Sequence, residues 1–499
     1  MVRGACRGRL RIASQLEVSA GVHTRIDSWF GITERGSDYG RELRGGVVTF
    51  VAMAYIIVLN PLILGTVRDV NGNLIGGAAD ERVAIAMVTA GTALVAGLMT
   101  IAMGVFGRFP IGVAAGLGLN GYLAFTLAPQ MTWAAAMGLV VLEGAVVLVL
   151  VLTGLRAAVF HSLPESLKYA IGVGIGLFIT FIGLVNAGVV RPGSPVLSFG
   201  VDGQLRGWPL FTFVVGLLLT IVLMVRRVRG ALLIGIVVTA VLAILIESIA
   251  HIGPAGPDHP TGWHLTVPAW PGQPVANPNF GLLGQFDLFG AFGSVGLVGA
   301  SLALFSLVLS DFFDTMGTAY GLAEEADLLD AEGDIPHLES ILVVDAVSAM
   351  AGGAASVSSN TAYVDSATGI GEGARTGVAS VVTGGLFLLA MFCAPLVSAI
   401  PQEAATPALV IVGFLMLGQI RHIDFTDLAD GIPAFLTIVL MPFTYSIVNG
   451  IGGGVITYTL IRIVTGRWRE VPGLLWVISA AFVVYFAINP LSELLGVAN

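Results

Sequence analysis

Long apolar stretches recur along almost the whole of this chain, and this recurrence limits its possible folds more than any other feature. A helix that crosses the hydrocarbon core of a bilayer needs about 20 mostly apolar residues. We predict fourteen such segments, some of them short. Their bounds are roughly 46–65, 83–106, 110–128, 133–154, 167–190, 209–225, 230–250, 288–310, 339–356, 361–372, 377–397, 406–420, 432–447 and 450–465. The predicted fold class is therefore an all-α, polytopic membrane protein.

The composition excludes an ordinary soluble protein. Only 11 % of the 499 residues are charged and the mean hydropathy is +0.91, whereas a soluble domain has about 25 % charged residues. Too few polar groups are present to cover a soluble surface, so membrane lipid is the expected surrounding. The chain shows no Walker A pattern, no recognisable enzyme motif and no close metal-ligand spacing among its histidines. We expect no enzyme activity, no metal or organic cofactor and no nucleic-acid partner.

The basic residues predict how the segments are oriented. With the N-terminus in the cytoplasm, all but four of the 23 Lys and Arg residues fall on the inner side. The exceptions are Arg68, Arg82, Arg191 and Arg206. Short cytoplasmic loops of membrane proteins carry such an excess. We predict a multi-pass protein of the plasma membrane with a cytoplasmic N-terminal arm. A last apolar stretch, 472–489, is either a fifteenth span or a helix lying along the membrane, and we prefer the second interpretation.

The longest breaks between apolar segments divide the chain into two halves of seven. The predicted parts are an arm over 1–44, a first repeat over 45–250, an outer loop over 251–287, a second repeat over 288–465 and a C-terminal apolar segment over 466–499. Because seven is odd, the second half enters the membrane from the opposite side. This is the arrangement expected of an inverted repeat.

The third segment of each half differs from the others. Residues 112–120 read GVAAGLGLN, and residues 352–372 read GGAASVSSNTAYVDSATGIGE. Both are short and rich in small and polar residues, and unpaired backbone is tolerated at membrane depth only where it lines a cavity or is buried in protein. Interrupted segments at matching positions of two halves indicate the binding site of a transporter. The alternative is a tightly packed, glycine-rich helix pair, which would leave Asn120 and Asp365 without an explanation.

Carboxylates within apolar segments are the candidate functional groups. Each costs about 2.5–3.5 kcal/mol to place in a span, and the chain has them at Glu143, Asp311, Asp314, Asp345 and Asp365. We predict that Asp314 and Asp365 meet at one cavity. Their neighbours in sequence are aromatic or carry hydroxyls: Phe312, Phe313, Thr315, Thr318, Thr361, Tyr363, Ser366 and Thr368. Such a site suits a flat, polar heterocycle, and a carboxyl buried without a cation favours its protonated form, so both aspartates are also candidates for proton coupling. The alternative for each is a satisfied structural polar group.

Six further residues are candidates, five of them for support. Asp311 is interpreted as a structural partner of the broken segments, and Glu143 and Asp345 as packing or relay residues. Glu372 and Arg375 are spaced to pair at the inner end of segment ten, in a structural or gating role. Asn120 either binds the edge of a heterocycle or ties segment three to its neighbour.

Five stretches of this chain resemble one known family. FVAMAYIIVLNPLIL (50–64), GLGLNGYLAF (116–125), SDFFDTMGT (310–318), SSNTAYVDSATGIGEGARTG (358–377) and IPAFLTIVLMPFTYSIVNGI (432–451) closely resemble the AzgA-like purine permeases of the nucleobase–cation symporter-2 superfamily. The resemblance implies proton-coupled import of adenine, guanine or hypoxanthine, with the proton as coupling ion. It implies a homodimer, a core domain of segments 1–4 and 8–11, a gate domain of segments 5–7 and 12–14, and short strands in segments three and ten.

The resemblance also implies roles for individual residues. Asp314 matches the acid of segment eight that binds the base, Asp365 the acid of segment ten, and Asn120 the asparagine of segment three. Tyr363 and Thr318 match an aromatic and a polar position beside the substrate in related uracil permeases. The family usually has Glu where this chain has Asp365, which places the reach to the substrate in question. The rival functions are a transporter of xanthine or uracil on the same fold, and a membrane sensor or channel without coupled transport.

Overall fold

The computed structural model of the chain describes residues 27–154, 163–193, 196–256, 259–270, 272–329 and 335–494. Residues 1–26 of the predicted arm lie outside this part. The described helices of the first half are α1 (Tyr39–Met53), α2 (Ile56–Leu64), α3 (Glu81–Ala102), α4 (Leu117–Tyr122), α5 (Trp133–Leu152), α6 (Glu165–Asn186), α7 (Trp208–Val225) and α8 (Ala231–Ala250). Those that follow are α9 (Gly290–Glu325), α10 (Leu338–Ala354), α11 (Ala367–Gly371), α12 (Gly377–Ala390), α13 (Ala394–Ser398), α14 (Gln402–Leu417), α15 (Leu428–Thr444), α16 (Ile447–Val464) and α17 (Gly473–Leu494).

The predicted class, a mostly helical polytopic membrane protein, is confirmed. Ten helical stretches among the described residues are long and apolar enough to cross a membrane by length and composition. Four three-residue strands accompany them: β1 (Val113–Ala115), β2 (Val190–Pro192), β3 (Leu197–Phe199) and β4 (Asn360–Ala362). Strands β1 and β4 fall in segments three and ten, where short strands were expected.

The helices pack as two groups, which match the expected core and gate domains. In the core group, α12 packs on α1 and α3, and α5 packs on both α9 and α10. In the gate group, α14 packs on α6, α7 and α8, and α15 packs on α6 and α16. Helices from both halves of the chain are present in each group. The core group carries β1 and β4, so it carries the interrupted segments.

Helix α1 begins earlier than predicted, inside the proposed arm. Asp38 caps it by accepting a hydrogen bond from the Arg41 backbone N–H at 2.9 Å, which satisfies one of the free donors at a helix N-terminus. Glu42 in the first turn is fully buried and accepts bonds from the backbone N–H groups of Arg375 and Ala379, at 2.8 and 3.2 Å. The polar first turn is thus part of the core group, and hydropathy could not show this.

Helix α9 continues fifteen residues beyond the predicted end of segment eight. Its 36 residues include one non-helical position, Gly296, whose φ of 73° suits glycine. Asp311 and Asp314 therefore lie within a continuous helix and not at its end. The apolar run stops at the two aspartates, but the helix continues and packs one side, with Ala319 and Leu322, against the protein.

Helix α17 does not fit the preferred prediction of a helix lying along the membrane. Phe482 is fully buried, and its ring packs at Gly452, where a side chain would lie 2.6 Å from the Phe482 Cδ1 atom. Gly452 lies near the start of α16, whereas α17 begins shortly after α16 ends. Helix α17 therefore returns beside α16 and packs on the bundle.

Two adjacent glycines of α12 allow a matched test of how closely the core helices pack. A Cβ atom at Gly384 would lie 2.7 Å from Ile101 Cγ1 and 2.9 Å from Ile101 N, whereas nothing lies within 4 Å of a Cβ at Gly385. We expect Gly384→Val to destabilise the protein by about 2–3 kcal/mol through overpacking and Gly385→Val to have little effect. Thermal unfolding in detergent, followed by tryptophan fluorescence, measures both. Equal melting temperatures for the two variants would contradict the close packing of α12 against α3 at Gly384.

Candidate functional site

The two interrupted segments meet in an antiparallel strand pair. Ala114 of β1 is paired with Thr361 of β4, and the flanking pairs are Val113 with Ala362 and Ala115 with Asn360. The pairing continues on both sides, since the Gly116 N–H donates to Ser359 O at 2.9 Å and the Tyr363 N–H donates to Gly112 O at 3.0 Å. Each strand thus satisfies the backbone of the other, as non-helical backbone at membrane depth requires. The packed helix pair that was the alternative is not formed.

A short helix follows each strand, and its first turn lies next to the pair. Helix α4 begins two residues after β1, and a 3₁₀ turn, Val364–Ser366, leads from β4 into α11. The Gly112 N–H donates to the Ser366 hydroxyl at 2.9 Å, which ties the start of segment three to the turn of segment ten. Polar groups at these turns are therefore held on well-defined backbone.

Asp365 lies in that turn, and a tyrosine from the first segment binds it. The Tyr55 hydroxyl donates to Asp365 Oδ2 at 3.1 Å. The Tyr55 and Tyr363 rings lie 6.4 Å apart, inclined by 50°. The Tyr363 hydroxyl donates to Ala115 O at 2.6 Å, and this bond fixes its ring against β1. The sequence alone does not indicate Tyr55, although it lies within the stretch 50–64, because nothing local shows that its partner is Asp365.

Asp314 lies on an open face of α9, which we define as Asp314, Gly317 and Gly321. All three are exposed, they succeed one another by about one turn, and nothing lies within 4 Å of a side chain built at either glycine. Helix α9 contacts the Val364–Ser366 turn directly. The structure thus places Asp314 on a helix that packs against the turn containing Asp365.

Behind the strand pair, hydroxyls and carboxyls form a buried network. The Thr315 hydroxyl donates to Asp345 Oδ2 at 2.8 Å and lies 2.7 Å from the Thr361 hydroxyl. Asp311 is fully buried beside Thr361, within range of Asp345 and Glu143, and no well-formed hydrogen bond reaches either of its oxygens among the described residues. Thr361 was predicted to bind substrate, but its side chain is buried and directed into this network.

Glu143 and Asn60 show how neighbouring helices are tied to the strand region. The Ser359 hydroxyl donates to Glu143 Oε1 at 3.1 Å, which links α5 to the residue before β4. The Asn60 amide donates to Thr92 Oγ1 at 2.8 Å and to Val357 O at 3.0 Å. These contacts agree with a packing role for Glu143.

The remaining candidates occupy three kinds of position. Phe312 is fully buried in an apolar cluster with Met103 and Phe109, so its ring packs in the core and does not face the open side of α9. Asn120 is fully buried, and neither amide atom has a hydrogen-bond partner within the described part of the chain. Thr318 is partly exposed, one turn beyond Asp314. The side chain of Phe313 lies outside the described part.

Glu372 and Arg375 do not pair with each other. Glu372, with its side chain 10 % exposed, forms ion pairs with Arg44 of α1, at 2.9 Å, and with Arg229 between α7 and α8. The Arg375 guanidinium instead donates to the backbone carbonyls of Ile370 and Ala374, at 2.7 and 2.8 Å. Sequence spacing suggested the wrong partner because both partners of Glu372 lie far away in the chain. Glu372 consequently connects the core group to the gate group.

The site is suited to holding a planar ligand that donates hydrogen bonds. It offers two carboxylates and two tyrosine rings, and no hydrogen bond or ion pair joins either aspartate to Lys or Arg within the described residues. The described part of the chain contains no group of three or more His, Cys, Asp or Glu side chains that could hold a metal ion. A polytopic fold with a polar site at two interrupted segments defines a membrane permease.

Comparison with known proteins identifies the family. Residues 40–453 match the Xan_ur_permease family, whose description is "Permease family", and the chain belongs to this family of nucleobase–cation symporter-2 permeases. The adenine permease AdeQ of Escherichia coli K12 is 34 % identical over 91 % of this chain and 94 % of its own length. The guanine/hypoxanthine permease PbuG of Bacillus subtilis 168 is also 34 % identical, over 92 % of this chain and 99 % of its own.

A solved structure has the same fold at low sequence identity. The transmembrane domain of the cyanobacterial bicarbonate transporter BicA matches with a TM-score of 0.55 and 14 % identity, covering 87 % of this chain and 97 % of that domain. This likeness concerns the fold alone, because the identity is too low to carry a ligand from one protein to the other.

Proposed function

We propose that this permease imports a purine nucleobase together with a proton. One observation carries the proposal: Asp314 lies on α9, which contacts the turn that holds Asp365, at the point where the interrupted segments meet. The printed names of the relatives, adenine permease and guanine/hypoxanthine permease, support a purine as the substrate.

The chemistry of the site fits a purine base. Adenine, guanine and hypoxanthine are flat and present ring N–H or amino groups, which carboxylates accept in charge-assisted hydrogen bonds. The faces of Tyr55 and Tyr363 offer offset or edge-on contact with such a ring. A carrier of inorganic anions would need cationic groups or helix N-termini directed at its ligand, so two carboxylates favour the base.

The lack of a fixed counter-ion among the described residues supports proton coupling. Within the described residues, Tyr55 binds Asp365 and no Lys or Arg pairs with Asp365 or Asp314. A carboxylate in a low-dielectric site without a cation is stabilised by taking up a proton. We propose that one of these two carboxyls carries the coupling proton and that both bind the nucleobase.

Alternating access is proposed to move the core group against the gate group. The core group holds β1, β4, Asp314 and Asp365, and α6, α14 and α16 of the gate group contact it. In such transporters one unit rocks or slides against the other around a site at the bilayer midplane. The site would then be exposed to one side of the membrane at a time.

The experiment is uptake of radiolabelled hypoxanthine into proteoliposomes. We expect counterflow when unlabelled purine is trapped inside, and accumulation when the lumen is made alkaline relative to the bath. A protonophore should abolish the accumulation and leave the counterflow. Competition by adenine, guanine, xanthine and uracil ranks the bases, and stronger competition by xanthine or uracil would favour the rival transporter. Binding without counterflow would favour a sensor, and purine flux that cannot accumulate would favour a channel.

We also propose a cytoplasmic N-terminus, insertion in the plasma membrane and a homodimer. The inner bias of Lys and Arg supports the orientation, and the family resemblance of the five sequence stretches implies the dimer. Native mass spectrometry of the purified protein tests the oligomer. Modification of single cysteines at 229 and 264 by an impermeant thiol reagent tests the orientation, since only position 264 should react in intact cells.

A further inference from the structure

Tyr55 lies where the first membrane segment is interrupted. Helix α1 ends at Met53 and α2 begins at Ile56, and between them the backbone tightens, since the Ile57 N–H donates to Ala54 O at 3.1 Å and the Val58 N–H to Tyr55 O at 3.0 Å. The irregularity lies beside the strand pair, since α2 contacts β1. The Tyr55 side chain is only 3 % exposed, so its orientation is fixed by packing.

The Tyr55 hydroxyl is directed at Asp365 and at nothing else in the described part of the chain. Its bond to Asp365 Oδ2 is 3.1 Å long. The two neighbouring hydroxyls are used differently, because the Tyr363 hydroxyl binds Ala115 O and the Thr368 hydroxyl binds the backbone O of Asp365. Among the described residues, Tyr55 is therefore the side chain that holds the Asp365 carboxylate.

We propose that Tyr55 is a positioning residue for Asp365, which it holds by one oxygen so that the other is presented to the purine. This inference rests on the proposed function, because it assigns the second oxygen to substrate. An aspartate in the free state samples several rotamers, and fixing one of them before the ligand binds removes an ordering cost from binding.

The contact also suits the length of the aspartate side chain. An aspartate has one methylene group fewer than a glutamate, so the Asp365 carboxylate stays close to the backbone of the Val364–Ser366 turn. Tyr55 comes from a separate helix and reaches the carboxylate there. We therefore infer that Tyr55 and Asp365 together fix the position of the base in the site.

Transport kinetics of Tyr55→Phe provide the first test. The variant keeps the ring and removes one hydrogen bond to a charged group, so we expect the KM for the best purine to rise about tenfold while kcat changes little. Tyr458→Phe is the matched control, because Tyr458 is also a buried tyrosine but packs under Arg462 in α16. The two variants should unfold at similar temperatures without ligand.

A double-mutant cycle separates positioning from a general structural effect. If Tyr55 acts through Asp365, removing its hydroxyl should add little to the loss already caused by Asp365→Asn, measured as purine affinity by calorimetry. Additive losses would overturn the proposal, as would an unchanged KM in Tyr55→Phe.

A third measurement does not depend on purine. Dicyclohexylcarbodiimide labels carboxyl groups in membrane segments, and mass spectrometry of the peptide that contains Asp365 gives the rate. Freed from Tyr55, Asp365 should be labelled several-fold faster in Tyr55→Phe than in Tyr458→Phe. If the wild type binds no purine but this difference appears, the proposed function fails and the positioning contact stands; if labelling is unchanged, the positioning role fails.

Discussion

Replacing Asp314 with asparagine is expected to reduce purine uptake by about 100-fold and to leave the protein folded. The amide has nearly the same size but cannot accept a charge-assisted bond from a ring N–H, and it directs its own donor at the base. A hydrogen bond to a charged group contributes about 1.5–3 kcal/mol, and an unpaired polar group in the bound state adds to the loss. Because Asp314 is exposed on the open face of α9, its replacement breaks no hydrogen bond or ion pair among the described residues.

The control for this substitution lies on the same helix. Glu324→Gln makes the same chemical change at an exposed position near the end of α9, and we expect normal uptake. Both variants should elute as single peaks and unfold at the wild-type temperature. Accumulation of hypoxanthine against a gradient by Asp314→Asn would show that this aspartate neither binds the base nor couples the proton.

Linking Arg229 to Glu372 by a short, reducible bridge is expected to stop transport almost completely. These residues form an ion pair between the loop that follows α7 and the end of segment ten, so they belong to the gate group and the core group respectively. If transport moves one group against the other, a covalent bridge between cysteines at both positions holds a single state. Uptake should fall to background after treatment with a bifunctional methanethiosulfonate and return after reduction.

The matched control uses the other partner of Glu372. Arg44 pairs with Glu372 at 2.9 Å, but both belong to the core group, so a bridge between cysteines at 44 and 372 should form equally well and leave uptake at the level before treatment. Cys6 and Cys393 are first replaced by serine to remove background reaction. Transport that continues through a fully bridged 229–372 pair would exclude movement of the groups at this contact.

The fold was largely predictable because it depends on local properties. Segment length and the small, polar third segments are both read within about 20 residues. The sequence also indicated that Asp314 and Asp365 belong together, since an unexplained carboxylate in a span needs a purpose. The extent of α9 was missed because hydropathy measures contact with lipid, and the second half of this helix has a polar, exposed side as well as a buried one.

The contact partners of the functional residues were harder to predict than which residues are functional. Tyr55 and Asp365 are separated by 310 positions, and Arg229 and Glu372 by more than a hundred, so spacing along one helix cannot pair them. The contacts of Asp365 with Tyr55 and of Glu372 with Arg229 depend on how the segments cross in the folded protein. Phe312 and Thr361 were assigned to the ligand because they neighbour the aspartates in sequence, but the helix and strand turn them into the core.

The strand pair also sets an order of events during synthesis. Ala115 must wait for its partner Asn360, which emerges roughly 12–50 s later at translation rates of about 5–20 residues per second. Until then the backbone of segment three has no strand to pair with, and unpaired backbone groups are costly in a bilayer. Neither half of the chain can form the binding site alone. The site is therefore complete only after both halves have been inserted into the membrane and their strands have paired.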